Sequence, residues 1–517
     1  MNKRLIVACI VLFFSFTKAY AAAEKAPPRI EGEGPFEKLI LRGGILINGE
    51  GAPPRGPVDI VIAQNRIVSI TDVGYPGVPI SGKRPEADPN DKEIDVEGSY
   101  ILPGFVDTHA HIGGGGQKVS AEYVFKLWLG HGITTIREVA SGNGIDWTLD
   151  QRDQSTANKI TAPRIVSYIA FGLANGEEKP VTSPEQARKW VDKIAKDGAN
   201  GIKFFGTHPD IFRAAIEQAT KRGLGTTMHH AQLDVAHLNA LDSARIGLNG
   251  MEHWYGLPEA LFEDRSIQAY PHNYNYNNEQ HRFGEAGRLW NQAAKPGSDK
   301  WNAVRDELIA LDFNLSPTFT IYEASRDLMR ARTAEWHEEY TMPTLWQFFQ
   351  PNRISHGSYW FDWTTQDEIN WKKNYGLWMQ FINDYKNNGG QVTVGSDAGY
   401  IYKVYGFAYI RELELLQEAG FSALEVVRAA TIDGANALGM EASIGSVREG
   451  KLADLVIVDE NPLQNFKTLY GTGHFKLGED NKPTRAGGVK YTIKDGIIYD
   501  AKKLLADVRQ MVAEAKN

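Results

Sequence analysis

Eight short apolar runs, each followed by a helical or loop stretch, dominate the middle of this chain and leave few folds open to it. They span residues 104–111, 132–139, 163–171, 200–206, 223–230, 249–253, 314–320 and 391–397. Strand-like runs alternating with helical stretches indicate parallel βαβ units, and eight in succession indicate an α/β fold closed into a (β/α)8 TIM barrel. The stretch Glu185 to Lys196 shows the connecting pattern, with Ala187, Trp190, Val191 and Ile194 at helical spacing. The barrel, read as residues 103–439, exceeds the roughly 250 residues typical of the fold. The excess falls in two insertions, 256–312 and 321–390, which hold most of the tryptophans.

Both ends of the chain have a different texture. Residues 36–102 carry β-rich runs such as Asp59-Ile60-Val61-Ile62, with a Pro- and Gly-rich loop over 74–92. The texture returns over 440–500, in Leu455-Val456-Ile457-Val458 and again from Val489 to Lys494. Two separated β-rich ends around a long middle imply one small β-sandwich domain built from both termini. Residues 501–517 read as a C-terminal amphipathic helix.

At the N-terminus Lys3 and Arg4 precede an apolar run from Leu5 to Phe16 and an Ala19-Tyr20-Ala21 site. That order is the one expected of an export signal, residues 1–21, so the chain is expected in a periplasm or outside the cell. The run falls short of the roughly 20 residues of a spanning helix, so no membrane span is expected. Cys9, the sole cysteine, lies in this segment. A processed chain therefore has no thiol for a disulfide, a nucleophile or a thiolate metal site. The formal net charge of −8, with no basic block, argues against nucleic acid as a partner. A small-molecule substrate is expected, and self-association into a homo-oligomer stays open.

In such a barrel the active site sits at the C-terminal ends of the strands, so polar residues ending apolar runs carry the information. His109 and His111 close the first run, and residues two apart on a strand point the same way. Lys203 lies in the fourth run, His229 and His230 close the fifth, His253 the sixth and Asp397 the eighth. Imidazoles and a carboxylate on one rim suit one or two borderline divalent cations such as Zn²⁺. Taken singly, each of these residues is as well explained by surface or core packing; taken together, in order, they are not.

Several stretches resemble the amidohydrolase superfamily, and most closely its imidazolonepropionase-like and Xaa-Pro dipeptidase-like branch. They are Leu102 to His111, Gly132 to Arg137, Gly201-Ile202-Lys203, Gly223-Leu224 leading to His229, Glu252-His253, Gly395 to Gly399, and the C-terminal runs Asn436 to Gly439 and Glu449 to Leu455. The resemblance implies that His109, His111 and Asp397 bind one metal and His229 and His253 a second. It implies that Lys203, carboxylated on Nζ, bridges them; an unmodified Lys203 would mean a single metal. His230 is then turned to the far side of its strand or toward substrate, and a slip of one in register exchanges it with His229. The sequence departs from the family at Glu138, where Asp is frequent, and in the long aromatic insertions.

The implied chemistry is hydrolysis of an amide or peptide-like C–N bond, with Asp397 as general base and then acid. Tyr255 either donates to the developing oxyanion or packs as an ordinary aromatic residue. Tyr270, Trp290, Trp371 and Trp378 are among insertion aromatics that either line a substrate pocket or cement the inserted helices to the barrel. Alternatives are a hydrolase of cyclic amides, lactones or amidines, deamination included, and an inactive barrel kept for binding.

Overall fold

The computed structural model describes residues 22–172, 180–358 and 360–517. The segment read as an export signal lies outside the described residues. Seven parallel strands form the central sheet: β1 Phe105–Ala110, β2 Ile133–Val139, β3 Arg164–Ala170, β4 Gly201–Phe204, β5 Gly225–Met228, β6 Gly250–Glu252 and β7 Asn314–Ser316. Each pairs with the next in sequence, so the sheet order is the chain order. Helices return the chain between strands, as Pro184–Asp197 does, capped by Ser183 and burying the four apolar residues read from the sequence.

The eighth run closes the barrel without forming a regular strand. Thr393 N–H donates to the Leu315 carbonyl on one side at 2.9 Å, and Thr108 N–H to the Val394 carbonyl on the other at 2.9 Å. Its ladder breaks where the Asp107 side chain, not a backbone carbonyl, accepts the Ser396 N–H at 3.0 Å. The barrel is thus an α/β TIM barrel of seven regular strands and one irregular one.

The two chain ends meet as expected. Leu455–Val458 lies antiparallel between Tyr100–Pro103 and Val489–Lys494. Leu39–Leu46, Arg55–Ala63 and Arg66–Asp72 extend the same eight-stranded sheet, and Leu39, Leu41, Ile60, Leu455, Ile457 and Ile493 fill its core. Helix Ala501–Lys516 packs on helix Ala121–Leu129, where Lys126 bridges to Asp507 at 3.0 Å. Among the described residues no helix is long and apolar enough to cross a membrane.

The insertions form a helical cap. Trp371 and Trp378, on the 23-residue helix Thr365–Asn387, are fully buried against Trp254 at ring distances of 6.0 and 6.1 Å. Trp290 is buried against Trp301 and Phe381. These aromatics cement the cap. On the same helix the buried Tyr375 hydroxyl donates to the Phe319 carbonyl at 2.7 Å. Tyr375→Phe removes that bond, and is expected to lower stability by about 1 kcal/mol in urea unfolding.

Candidate metal centre

The centre forms where the strands end, because the backbone there leaves the regular strand conformation. His253, Thr318 and Asp397 follow β6, β7 and the eighth run, and all three have left-handed backbones, with φ of 62°, 54° and 47°. Each such non-glycine residue costs on the order of 1–3 kcal/mol, and strain of this kind clusters at functional sites. The turn at His253 has a further consequence. Neighbours in a strand normally face opposite sides, yet here both Glu252 and His253 reach the barrel interior. Gly395 is required beside them, since a Cβ there would lie 2.8 Å from the His109 Cβ.

Ligand atoms of His109, His111 and Asp397 all lie within 4.8 Å of one another. Asp397 Oδ1 is 3.4 Å from His109 Nε2 and 3.1 Å from His111 Nε2, and Oδ2 is 3.8 Å from His253 Nε2. The His253 ring continues to His229, 4.6 Å away centroid to centroid. Thr318 gives its hydroxyl proton to the Pro317 carbonyl and so accepts from His253 Nδ1 at 2.6 Å. That fixes the tautomer with the Nε2 lone pair facing Asp397, the arrangement metal-binding histidines take. Burial holds the His253 imidazole down to about 3 and that of His109 well below its usual range, so both are neutral donors. Burial would raise the Asp397 carboxyl, but His109 and His111 outweigh it and hold it well below the ordinary range. His109 Nδ1 is buried with no hydrogen-bond partner among the described residues. Burial would lower the His111 imidazole, but Tyr400, Asp397 and Glu138 outweigh it and hold it well above its usual range. The neutral imidazoles of His109 and His253, an anionic carboxylate and an orphaned ring nitrogen fit a divalent cation.

Lys203 is buried beside this group, paired with the Glu252 carboxylate. Glu252 also accepts from Arg137 Nη2 at 2.9 Å and Thr227 Oγ1 at 2.6 Å. Burial, and then Arg137, holds the Lys203 amine well below the lysine range. Tyr255 packs on His229 at 5.6 Å and on Tyr322 at 6.1 Å. His230 lies outside this group: its ring is behind β5, with Nε2 2.9 Å from Ser243 Oγ on helix Ala240–Ile246, while the His229 ring turns inward to His253.

The walls above the centre come largely from residues without a signal of their own in the sequence. Tyr400 meets His111 at 5.5 Å and His356 at 5.8 Å; His356 meets Phe283 at 5.4 Å. Phe283 meets Tyr322 at 6.4 Å, and Tyr322 returns to His253 at 5.7 Å. A chain of aromatic contacts thus runs from His111 to His253, supplied mainly by the cap.

The sequence pattern of the amidohydrolase family matches residues 100–266 and 379–498, more than half the chain, and takes in all the residues of the metal cluster. The chain belongs to the amidohydrolase family. An adenine deaminase of Halalkalibacterium halodurans is 28% identical over 199 residues, 37% of this chain and 31% of the deaminase. An allantoinase of Deinococcus radiodurans is 25% identical over 218 residues, 40% of this chain and 42% of the allantoinase. The chain thus spans well under half the length of these curated relatives. A solved Xaa-Pro dipeptidase with methionine bound in its active site superposes with a TM-score of 0.59 at 18% identity, covering 90% of this chain and 100% of that one. That likeness is one of fold. The family pattern breaks off at 266 and resumes at 379, so in this amidohydrolase the cap residues Phe283, Tyr322 and His356 fall outside it.

Proposed function

We propose that this amidohydrolase is an exported, metal-dependent hydrolase of an amide or peptide-like C–N bond. The observation that carries the reading is the convergence of His109, His111 and Asp397 on one point, with His253 and His229 adjoining. One or two divalent cations held there, Zn²⁺ being well matched by these N and O donors, would supply a nucleophile from water near neutral pH and a Lewis acid for the scissile carbonyl.

The chain's own residues do the rest. Asp397, anionic and within reach of both His109 and His111, accepts the proton of the attacking water and returns it to the leaving nitrogen. Tyr255, walled by His229 and Tyr322, is the candidate donor to the developing oxyanion. Arg137 and Thr227 hold Glu252, and Glu252 holds Lys203, so the lysine is fixed at the barrel floor. Burial lowers the proton affinity of the Lys203 amine, and the unprotonated amine is the form that takes up CO2, which supports a carboxylated Lys203 that would serve as a further metal ligand. Export is supported by the order of charged, apolar and small residues over 1–21.

Metal analysis of the purified protein tests the centre. Two divalent ions per chain are expected in the wild type and fewer than two in Lys203→Ala; an unchanged two would refute the bridging role. Chelation is expected to abolish hydrolysis and metal to restore it. A second reading, hydrolysis of a cyclic amide or amidine, draws on the adenine deaminase and allantoinase relatives. Assaying dipeptides and N-acyl amino acids beside cyclic ureides and lactones, with metal supplied, decides between the two.

A further inference from the structure

The cap brings an arginine to the rim of the metal centre. Arg282, on helix Glu279–Ala286, is stacked between the rings of Tyr276, 4.3 Å away, and Phe283, 4.9 Å away. Its Nε donates to Gln232 Oε1 at 2.5 Å and its Nη1 to Glu279 Oε1 at 3.3 Å. Its Nη2 has no hydrogen-bond partner among the described residues. The one carboxylate it touches is shared, since the other oxygen of Glu279 meets His356 Nδ1 at 3.0 Å. The guanidinium is therefore held by two rings and two hydrogen bonds, and Nη2 is left over.

The residues that hold the guanidinium belong to the surroundings of the metal centre. Gln232 stands three residues beyond His229, and Phe283 belongs to the chain of aromatic contacts that reaches His253 through Tyr322. A structural arginine that only tied the cap to the loop after β5 would spend its donors on the protein. A planar guanidinium fixed by aromatic stacking, with Nη2 left over, is the side chain suited to carboxylate recognition.

We propose that Arg282 is a specificity-determining residue, and that its free Nη2 takes a carboxylate of the substrate. On the amide-hydrolase reading above, on which this rests, the substrates are N-acyl amino acids or dipeptides with a free C-terminal carboxylate. Their C-terminal amides are poor substrates. The selectivity sits in the cap, outside the stretches this chain shares with the family pattern.

The test compares N-acetyl amino acids and dipeptides with their C-terminal amides, using metal-loaded wild type, Arg282→Met and Arg282→Lys. Hydrogen bonds to charged groups predict that Arg282→Met raises KM for the acids about 10–100-fold while kcat and the amides change little. Arg282→Lys should recover part of the loss. Equal activity of wild type on acids and amides, or an equal loss on both in Arg282→Met, would overturn the assignment. Calorimetric binding of the same pairs to metal-loaded Asp397→Asn separates the two readings. Carboxylate-dependent binding that Arg282→Met removes, without turnover by wild type, upholds Arg282 and sinks the hydrolase. Binding indifferent to the carboxylate, or no binding at all, sinks the Arg282 proposal whatever the turnover.

Discussion

Asp397→Asn is expected to lower kcat on a cleaved amide by a factor of about 10²–10⁴, with metal content and thermal stability close to wild type. The substitution is isosteric and keeps an oxygen toward His109 and His111, but an amide cannot accept the proton of the attacking water. It is also a mild change for the backbone. Asp397 has φ 47°, and Asn is among the few residues that tolerate the left-handed region. The Asp397 N–H bond to the His109 carbonyl, 2.9 Å long, does not involve the side chain and is kept. A loss confined to kcat would place Asp397 in the proton transfer. Turnover within a few-fold of wild type would remove it from that role, and loss of metal with loss of activity would make it a ligand first.

The parts of this centre that were legible in the sequence are those set by strand periodicity. His109 and His111 lie two apart at the end of an apolar run, so their common direction follows from the pleat, and Asp397 ends the last run after Gly395 and Ser396. Periodicity fails where the backbone leaves the strand. Glu252 and His253 are neighbours, and only the left-handed turn at His253 lets both face inward. For that reason Glu252, which holds Lys203, carried no signal beyond its place in a family motif. The eighth run was legible as a strand from its apolar residues, but the Asp107 side chain that breaks its ladder lies 289 positions away in sequence. The cap was legible as an insertion and not as a wall. Trp371 and Trp378 stand out by composition and prove to be cement, whereas Phe283, His356 and Arg282 acquire their roles only through tertiary contacts.

The largest effect on stability is expected at Glu323, which has no part in the chemistry yet fixes the loop that carries it. Glu323 lies on helix Phe319–Arg326, directly after Thr318, the partner of His253. Its buried carboxylate accepts from Lys403 Nζ at 2.7 Å and from Arg411 Nε at 2.8 Å. Lys403 ends the turn that begins at Asp397, where Gly399 N–H donates to the Lys403 carbonyl at 2.8 Å. One carboxylate thus ties the support of His253 to the loop beyond Asp397. Removing its charge strands the buried Lys403 and leaves Arg411 with Glu414, 3.0 Å away, and Glu323→Gln is expected to cost about 3–5 kcal/mol at pH 7. The pH dependence identifies the cause. Burial would raise the Glu323 carboxyl, but Lys403 and Arg411 reverse this and bring it down to about 2, against an ordinary value of 4.5. A group lowered on folding binds its proton more tightly in the unfolded chain, so its stabilisation is complete above pH 4.5 and drains away as the pH falls toward 2. By linkage that contribution is about 3 kcal/mol. Urea unfolding midpoints of wild type and Glu323→Gln should therefore stand far apart at pH 7 and draw together between pH 4.5 and 3. A gap that stays constant over that interval would show that the loss comes from packing, and that the charge of Glu323 does not hold the loop.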